Sequence, residues 1–171
     1  MPAQLTPEQE LFRDTTRRYL DEHCSPAALR ALRHDPVGFD PKFWKGGAEL
    51  GWTSLLVAEG DGGGTVGGAA LTDLTLVAHQ FGRHAAPGPL GPATVAAAAV
   101  SRYGDTAQRR ALLPGLLAGD TVAAWLPPAG DASGPRRPPA MAARPGGGGW
   151  VLSGWASPAE VAAADYLVVA A

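Results

Sequence analysis

The sequence predicts a mainly α protein, with six helices in an N-terminal domain followed by an incomplete β-barrel segment, α+β overall. Two observations carry this. Helix-start signals and helical apolar stripes recur from Thr6 to Leu117, and the character of the chain changes after Gly119. There the helical spacing gives way to short apolar runs separated by Pro- and Gly-rich sequence. The division predicted is residues 1–119 for the helical domain and 120–171 for a partial β domain.

Three early helices begin alike. Thr6-Pro7, Ser25-Pro26 and Asp40-Pro41 each place an oxygen-bearing cap before a proline. The cap accepts an orphan N–H, and proline lacks the donor that would go unpaired at the first helical position. Gln9 stands three after Thr6, the spacing of a capping box. The first helix is predicted from Pro7 to Glu22, with Leu11, Phe12, Thr15, Tyr19 and Leu20 along one stripe. The second carries Leu29 and Leu32 and ends at His34-Asp35-Pro36. The third carries Phe43, Trp44, Gly47 and Leu50, with Gly51 as its stop.

Trp52 to Ala58 reads as extended or irregular, and Gly60 to Gly68 as a flexible glycine loop. A fourth helix turns Leu71, Leu74, Val77, Ala78 and Phe81 inward and ends at Gly82. A fifth spans Pro92 to Tyr103, with a small alanine-rich face suited to close packing. Asp105, with Gln108 three residues on, caps the sixth, where Pro114 predicts a kink or break. Phe12, Phe43, Leu50, Leu74, Phe81 and Leu113 are expected to share the core. Strands are expected at Thr121–Leu126, Trp150–Ser153 and Tyr166–Ala171, with Pro127–Gly149 as loop.

Composition bounds the function classes. A hydrophobic fraction of 46% with 18% charged residues describes a globular chain. A formal charge of −2 gives no general attraction to nucleic acid. The apolar run Ala93–Val100 falls far short of the roughly 20 residues a membrane helix needs. No apolar leader follows Met1, so a cytoplasmic setting is expected. Cys24 is the single cysteine, which rules out an intrachain disulfide and a thiol-rich metal site.

The residues offer few chemical constellations. Gly62 to Gly67 fits G-x-G-x-x-G. A dinucleotide fold needs an acid about 20 residues on, near a second parallel strand. This chain offers Arg83, His84 and prolines there, so the run reads as a loop. His79 and His84 are five apart, off the face a helical metal pair needs, and no metal site is expected. All four histidines read as surface or helix-end residues, and Asp14, Asp21, Glu22 and Glu49 as solvated charges. Ser153 lacks the flanking glycines of a nucleophile elbow.

Several stretches, in order, resemble the acyl-CoA dehydrogenase family. They are Leu5–Phe12; Phe39 through Leu50-Gly51-Trp52 to Gly62-Gly63; and Phe81-Gly82-Arg83 with Pro87 and Pro89. Tyr103-Gly104, Gln108, Leu113-Pro114 and Gly119-Asp120 follow, then Trp150–Gly154 and Ala164–Ala170. The resemblance implies FAD-dependent α,β-dehydrogenation of an acyl-CoA thioester, a homo- or hetero-oligomer, and an electron-transfer acceptor. It implies that the glycine loop is a helix connector. It also implies a flavin loop of the form T-E-P-x-A-G-S-D, matched by Trp125-Leu126-Pro127-Pro128-Ala129-Gly130-Asp131-Ala132. Trp125 and Leu126 replace the Thr and Glu, and Asp131 and Ala132 replace the Ser and Asp. The implied cofactor-binding positions are Trp125, Leu126, Gly130, Asp131 and Ser157. No catalytic residue is expected within the chain; the family's glutamate base is expected beyond Ala171. The altered flavin loop leaves a second reading, a non-catalytic partner subunit or pseudo-enzyme with the same fold.

Overall fold

The computed structural model describes residues 4–126, 141–154 and 162–169. Six helices come first: α1 (Pro7–His23), α2 (Pro26–Ala31, extended by a 3₁₀ turn at Leu32–His34), α3 (Pro41–Glu49), α4 (Ala70–His84), α5 (Leu90–Tyr103) and α6 (Thr106–Ala118). Four strands follow: β1 (Ala123–Leu126), β2 (Met141–Gly146), β3 (Gly149–Gly154) and β4 (Tyr166–Val169). β1 pairs with β4 in parallel and β2 with β3 antiparallel; among the described residues no barrel closes.

The local start signals act as their chemistry dictates. Thr6 Oγ1 accepts from Gln9 N and Gln9 Oε1 accepts from Thr6 N, both at 3.2 Å. Asp105 and Gln108 repeat this reciprocal cap at 2.8 Å in each direction. Ser25 accepts from Ala28 N at 3.2 Å and Asp40 from Lys42 N at 2.8 Å. Each satisfies a donor that the helix ladder leaves unpaired.

The core gathers aromatic side chains from four parts of the chain. Trp52 lies edge-on to Phe81 at 4.9 Å and to Tyr19 at 5.6 Å, and its Nε1 donates to Thr16 Oγ1 at 3.2 Å. Leu20, Phe43, Trp44 and Val77 complete this cluster, with Phe12, Leu50 and Leu74 packed half-buried against it. Leu113 is buried on α6. A second cluster joins Ala96 and Ala97 of α5 to Leu116 of α6, Val57 and Ala123 of β1.

Several expectations are corrected. α4 does not stop at Gly82. It runs to His84, and Ala85 takes the left-handed turn at φ 48° just before Ala86-Pro87, where helical backbone is disfavoured. Its inward face is centred on Asp73, Val77, Gln80 and Phe81, so Leu71 is 71% exposed and Ala78 is also exposed. A carboxylate holds that inward place because three donors converge on it: Gln9 Nε2 at 2.8 Å, Val66 N at 2.8 Å and Gly67 N at 3.1 Å. The same bonds anchor Val66 and Gly67, within the Gly60–Gly68 connector, to α4. A Cβ on Gly63 would lie 2.0 Å from Val57 O, and one on Gly67 would lie 2.4 Å from Gln9 Nε2. α5 starts at Leu90, two residues ahead of the expected Pro92. α6 passes through Pro114 without a break; Pro114 and Arg110 are exposed, so water can satisfy the carbonyl that loses its donor. Part of the expected Pro127–Gly149 loop is strand β2. It turns into β3 through Gly147 (φ 63°) and Gly148 (φ 82°), the left-handed pair a tight hairpin turn requires. His84 is more than a helix-end residue: its Nε2 lies 3.0 Å from Asp21 Oδ1 and ties α4 to α1. No helix among the described residues is long and apolar enough to cross a membrane.

Candidate cleft at the seam of helices and strands

The chain turns from α6 into β1 at Gly119, whose φ of 70° closes the helix. Its missing side chain matters too, since a Cβ there would lie 2.9 Å from Ala48 Cβ. β4 is then clamped to the start of β1. Asp165 N and Tyr166 N donate to Val122 O at 2.8 and 3.2 Å, and Val122 N donates to Asp165 Oδ2 at 2.8 Å. The parallel register pairs Ala123 with Tyr166 and Trp125 with Val168.

Side chains alternate along a strand, so Ala123 and Trp125 share one face of β1. Ala123 packs against Ala96 and Ala97 of α5, whose small side chains let helix and strand approach closely. Two residues on, Trp125 lies over the end of α5. It walls a cleft of about 410 Å³ with Val100, Tyr103, Gln108, Leu167 and Val169. Arg109 braces the lip. It donates to Gly104 O at 2.8 Å and lies 3.7 Å from Asp61, whose other oxygen accepts from Ser101 Oγ at 2.6 Å.

No carboxylate, imidazole or thiol is among the described lining of the cleft. The groups whose ionisation the fold shifts lie elsewhere: burial pushes the Cys24 thiol and the Tyr19 phenol up, and the hydrogen bond to Asp120 raises Lys45. Among the described lining, the polar side-chain groups are the Gln108 amide, the Tyr103 hydroxyl and the Trp125 indole N–H.

Of the residues singled out for cofactor contact, Trp125 stands in the cleft wall and Leu126 is buried on the opposite face of β1, 8% exposed. Gly130, Asp131 and Ser157 lie outside the described residues. The described lining does not by itself fit FAD. A flavin's ring nitrogens and carbonyls need several hydrogen-bond partners, and an indole at position 125 supplies a face without an acceptor. Tyr103, Gln108 and Asp73 were not singled out as functional or buried residues from the sequence. The Asp105–Gln108 cap was legible, but which side chains β1 meets depends on long-range docking.

Helical layer, parallel β1–β4 pair and seam together have known counterparts. Residues 6–120 match the family model described as acyl-CoA dehydrogenase, N-terminal domain. The chain belongs to the acyl-CoA dehydrogenase family. It is 32% identical over 119 residues to acyl-CoA dehydrogenase IpdE2 of Mycolicibacterium smegmatis, an alignment covering 69% of this chain and 37% of that protein. Among solved structures, the Tcur3481-Tcur3483 steroid ACAD superposes with a TM-score of 0.78 at 29% identity, over 95% of this chain and 44% of that one. An acyl-CoA dehydrogenase complexed with FAD from Bacillus anthracis shares the fold, with a TM-score of 0.68 at 21% identity, over 98% of this chain and 29% of that one. The chain thus spans less than half the length of these relatives.

Proposed function

We propose that this chain supplies the helical domain, residues 1–119, and the start of the middle β domain, residues 120–171, of an enzyme that dehydrogenates acyl-CoA thioesters between the α and β carbons. The observation that carries the reading is the family match over residues 6–120, in a fold that sets an apolar cleft against β1. FAD is the family's cofactor. Its polar contacts are assigned to Gly130, Asp131 and Ser157, and the α-proton base is assigned to residues other than the described cleft lining, which holds no carboxylate. An electron-transfer acceptor completes the redox cycle. The similarity to a steroid ACAD named for two polypeptides supports a ring-bearing acyl group and an assembly of unlike subunits.

Equilibrium dialysis and a dye-reduction assay test this together. The purified chain, given FAD, a saturated ring-bearing acyl-CoA and ferrocenium, is expected to retain the thioester without reducing the dye. A positioned base is typically worth ~10²–10⁴ in rate. Dye reduction by the chain alone would contradict the placement of the base, and failure to retain any acyl-CoA would contradict the substrate class.

A further inference from the structure

We propose that His84 and Asp21 form a proton-controlled latch between α4 and α1, closed when both ring nitrogens of His84 carry protons and open when only one does.

The two helices run side by side in the same direction. Gln9 and Asp73 join them near their starts at 2.8 Å, and Asp21 and His84 join them near their ends at 3.0 Å. The two bonds differ in chemistry. Gln9 brings a permanent N–H donor, whereas His84 stands between two acceptors. Its Nε2 faces Asp21 Oδ1, and its Nδ1 lies 2.7 Å from the carbonyl oxygen of Gln80, one turn back on α4. A carbonyl and a carboxylate only accept, and a neutral imidazole has a single N–H. The neutral ring therefore sets a lone pair against one of the two oxygens, and only the imidazolium satisfies both. The His84 side chain is 14% exposed, so water replaces a lost partner poorly.

The surroundings suit a cation. α1 ends at His23 and α4 at His84, so the carbonyl ends of two parallel helices come together here, and Asp21 adds a negative charge. The other charged or titratable groups around the pair are Arg17, Arg18, Glu22, His23 and Cys24, within about one turn of Asp21, and His79 and Arg83 on α4; Ala85 to Pro89 add none. Arg18 gives the open state its partner. It lines the same surface groove as Asp21, whose carboxylate is 63% exposed and has room to turn toward it.

The latch stands at the root of a loop. Ala85 turns at φ 48°, Ala86 N donates to Phe81 O at 2.9 Å, and Ala86 to Pro89 line a hollow of about 270 Å³ with Phe39 and Ala163. Opening the latch loosens the last turn of α4 and, with it, the bond that holds Ala86.

Urea unfolding of the full chain at pH 5.5 and 7.5 tests this. The two values bracket the range in which histidine side chains ordinarily titrate, and both lie above that of aspartate. A contact made by the protonated ring contributes stability at the lower pH and loses it as pH rises. The folding constant of wild type relative to His84→Gln is expected to be about three- to five-fold greater at pH 5.5 than at pH 7.5. The same is expected relative to Asp21→Asn, whose amide can either accept from Nε2 or donate to it and so serves both forms of the ring. Asp21 is exposed, so this second variant tests the latch even where His84→Gln does not fold. Amide exchange of Ala86, corrected for its intrinsic rate, is expected to lose protection from pH 5.5 to 7.5 in wild type and not in Asp21→Asn. Relative folding constants that are equal at the two pH values, or Ala86 protection that changes alike in wild type and Asp21→Asn, overturn the latch.

Discussion

Gln9 on α1 and Asp73 on α4 are joined by a 2.8 Å side-chain hydrogen bond, with both residues buried. Asp73 Oδ2 also accepts from the backbone of Val66 and Gly67, so one carboxylate joins two helices and the connector between α3 and α4. Asp73→Ala strands three donors inside the protein and is expected to cost about 3 kcal/mol or more. Asp73→Asn, which keeps an acceptor and the shape, is expected to cost less. Urea midpoints for the two variants check the order; a wild-type midpoint for Asp73→Ala would remove the carboxylate from the account of the fold.

Phe81 is the second test of the helical core. It is 8% exposed and packs edge-on to Trp52. Phe81→Ala is expected to destabilise by about 3–5 kcal/mol through lost burial and a residual cavity. Thermal unfolding measures this, and an unchanged midpoint would show that the aromatic cluster is not holding α4 to the rest.

Cys24 gives the fold an alkaline signature. Burial raises its pKa, so the folded chain holds the thiol proton more tightly than the unfolded chain does. That contribution is complete below the unfolded thiol's value of about 8.5 and is lost as pH rises through the higher folded value. Tyr19, raised chiefly by burial, acts in the same direction at higher pH. Stability should therefore decline between pH 8 and 10 in wild type and decline less in Cys24→Ala, as read from urea midpoints across that range. Parallel declines would show that the thiol contributes nothing.

What the sequence disclosed follows the range of the interactions. Thr6 with Gln9 and Asp105 with Gln108 are three residues apart, and their caps were legible because the whole interaction lies within one turn. The phase of α4 was not, because Asp73 reads as a surface residue until Gln9, 64 positions away in the chain, is placed beside it. The β2–β3 hairpin was hidden by Pro145 and the glycine run Gly146–Gly149, which read as loop; two of those glycines form its turn. Family resemblance pointed to Trp125, yet the face it shares with Val100 and Gln108 follows only from the docking of β1 on α5. Trp150 on β3 is 70% exposed, whereas Ala123 of β1 is buried against the alanines of α5.

Trp125 offers the most direct test that the seam is where the acyl group binds. Four other tryptophans contribute to emission, and Trp44 and Trp52 are buried in the helical core away from the cleft. The measurement is tryptophan fluorescence during titration with a saturated ring-bearing acyl-CoA, in wild type and in Trp125→Phe, with free CoA as control. The expected result is a saturable change in wild-type emission that free CoA does not produce and that Trp125→Phe abolishes while dialysis still detects the bound thioester. The same change in Trp125→Phe, or a thioester that binds wild type without altering its emission, would contradict the placement of the acyl group against β1.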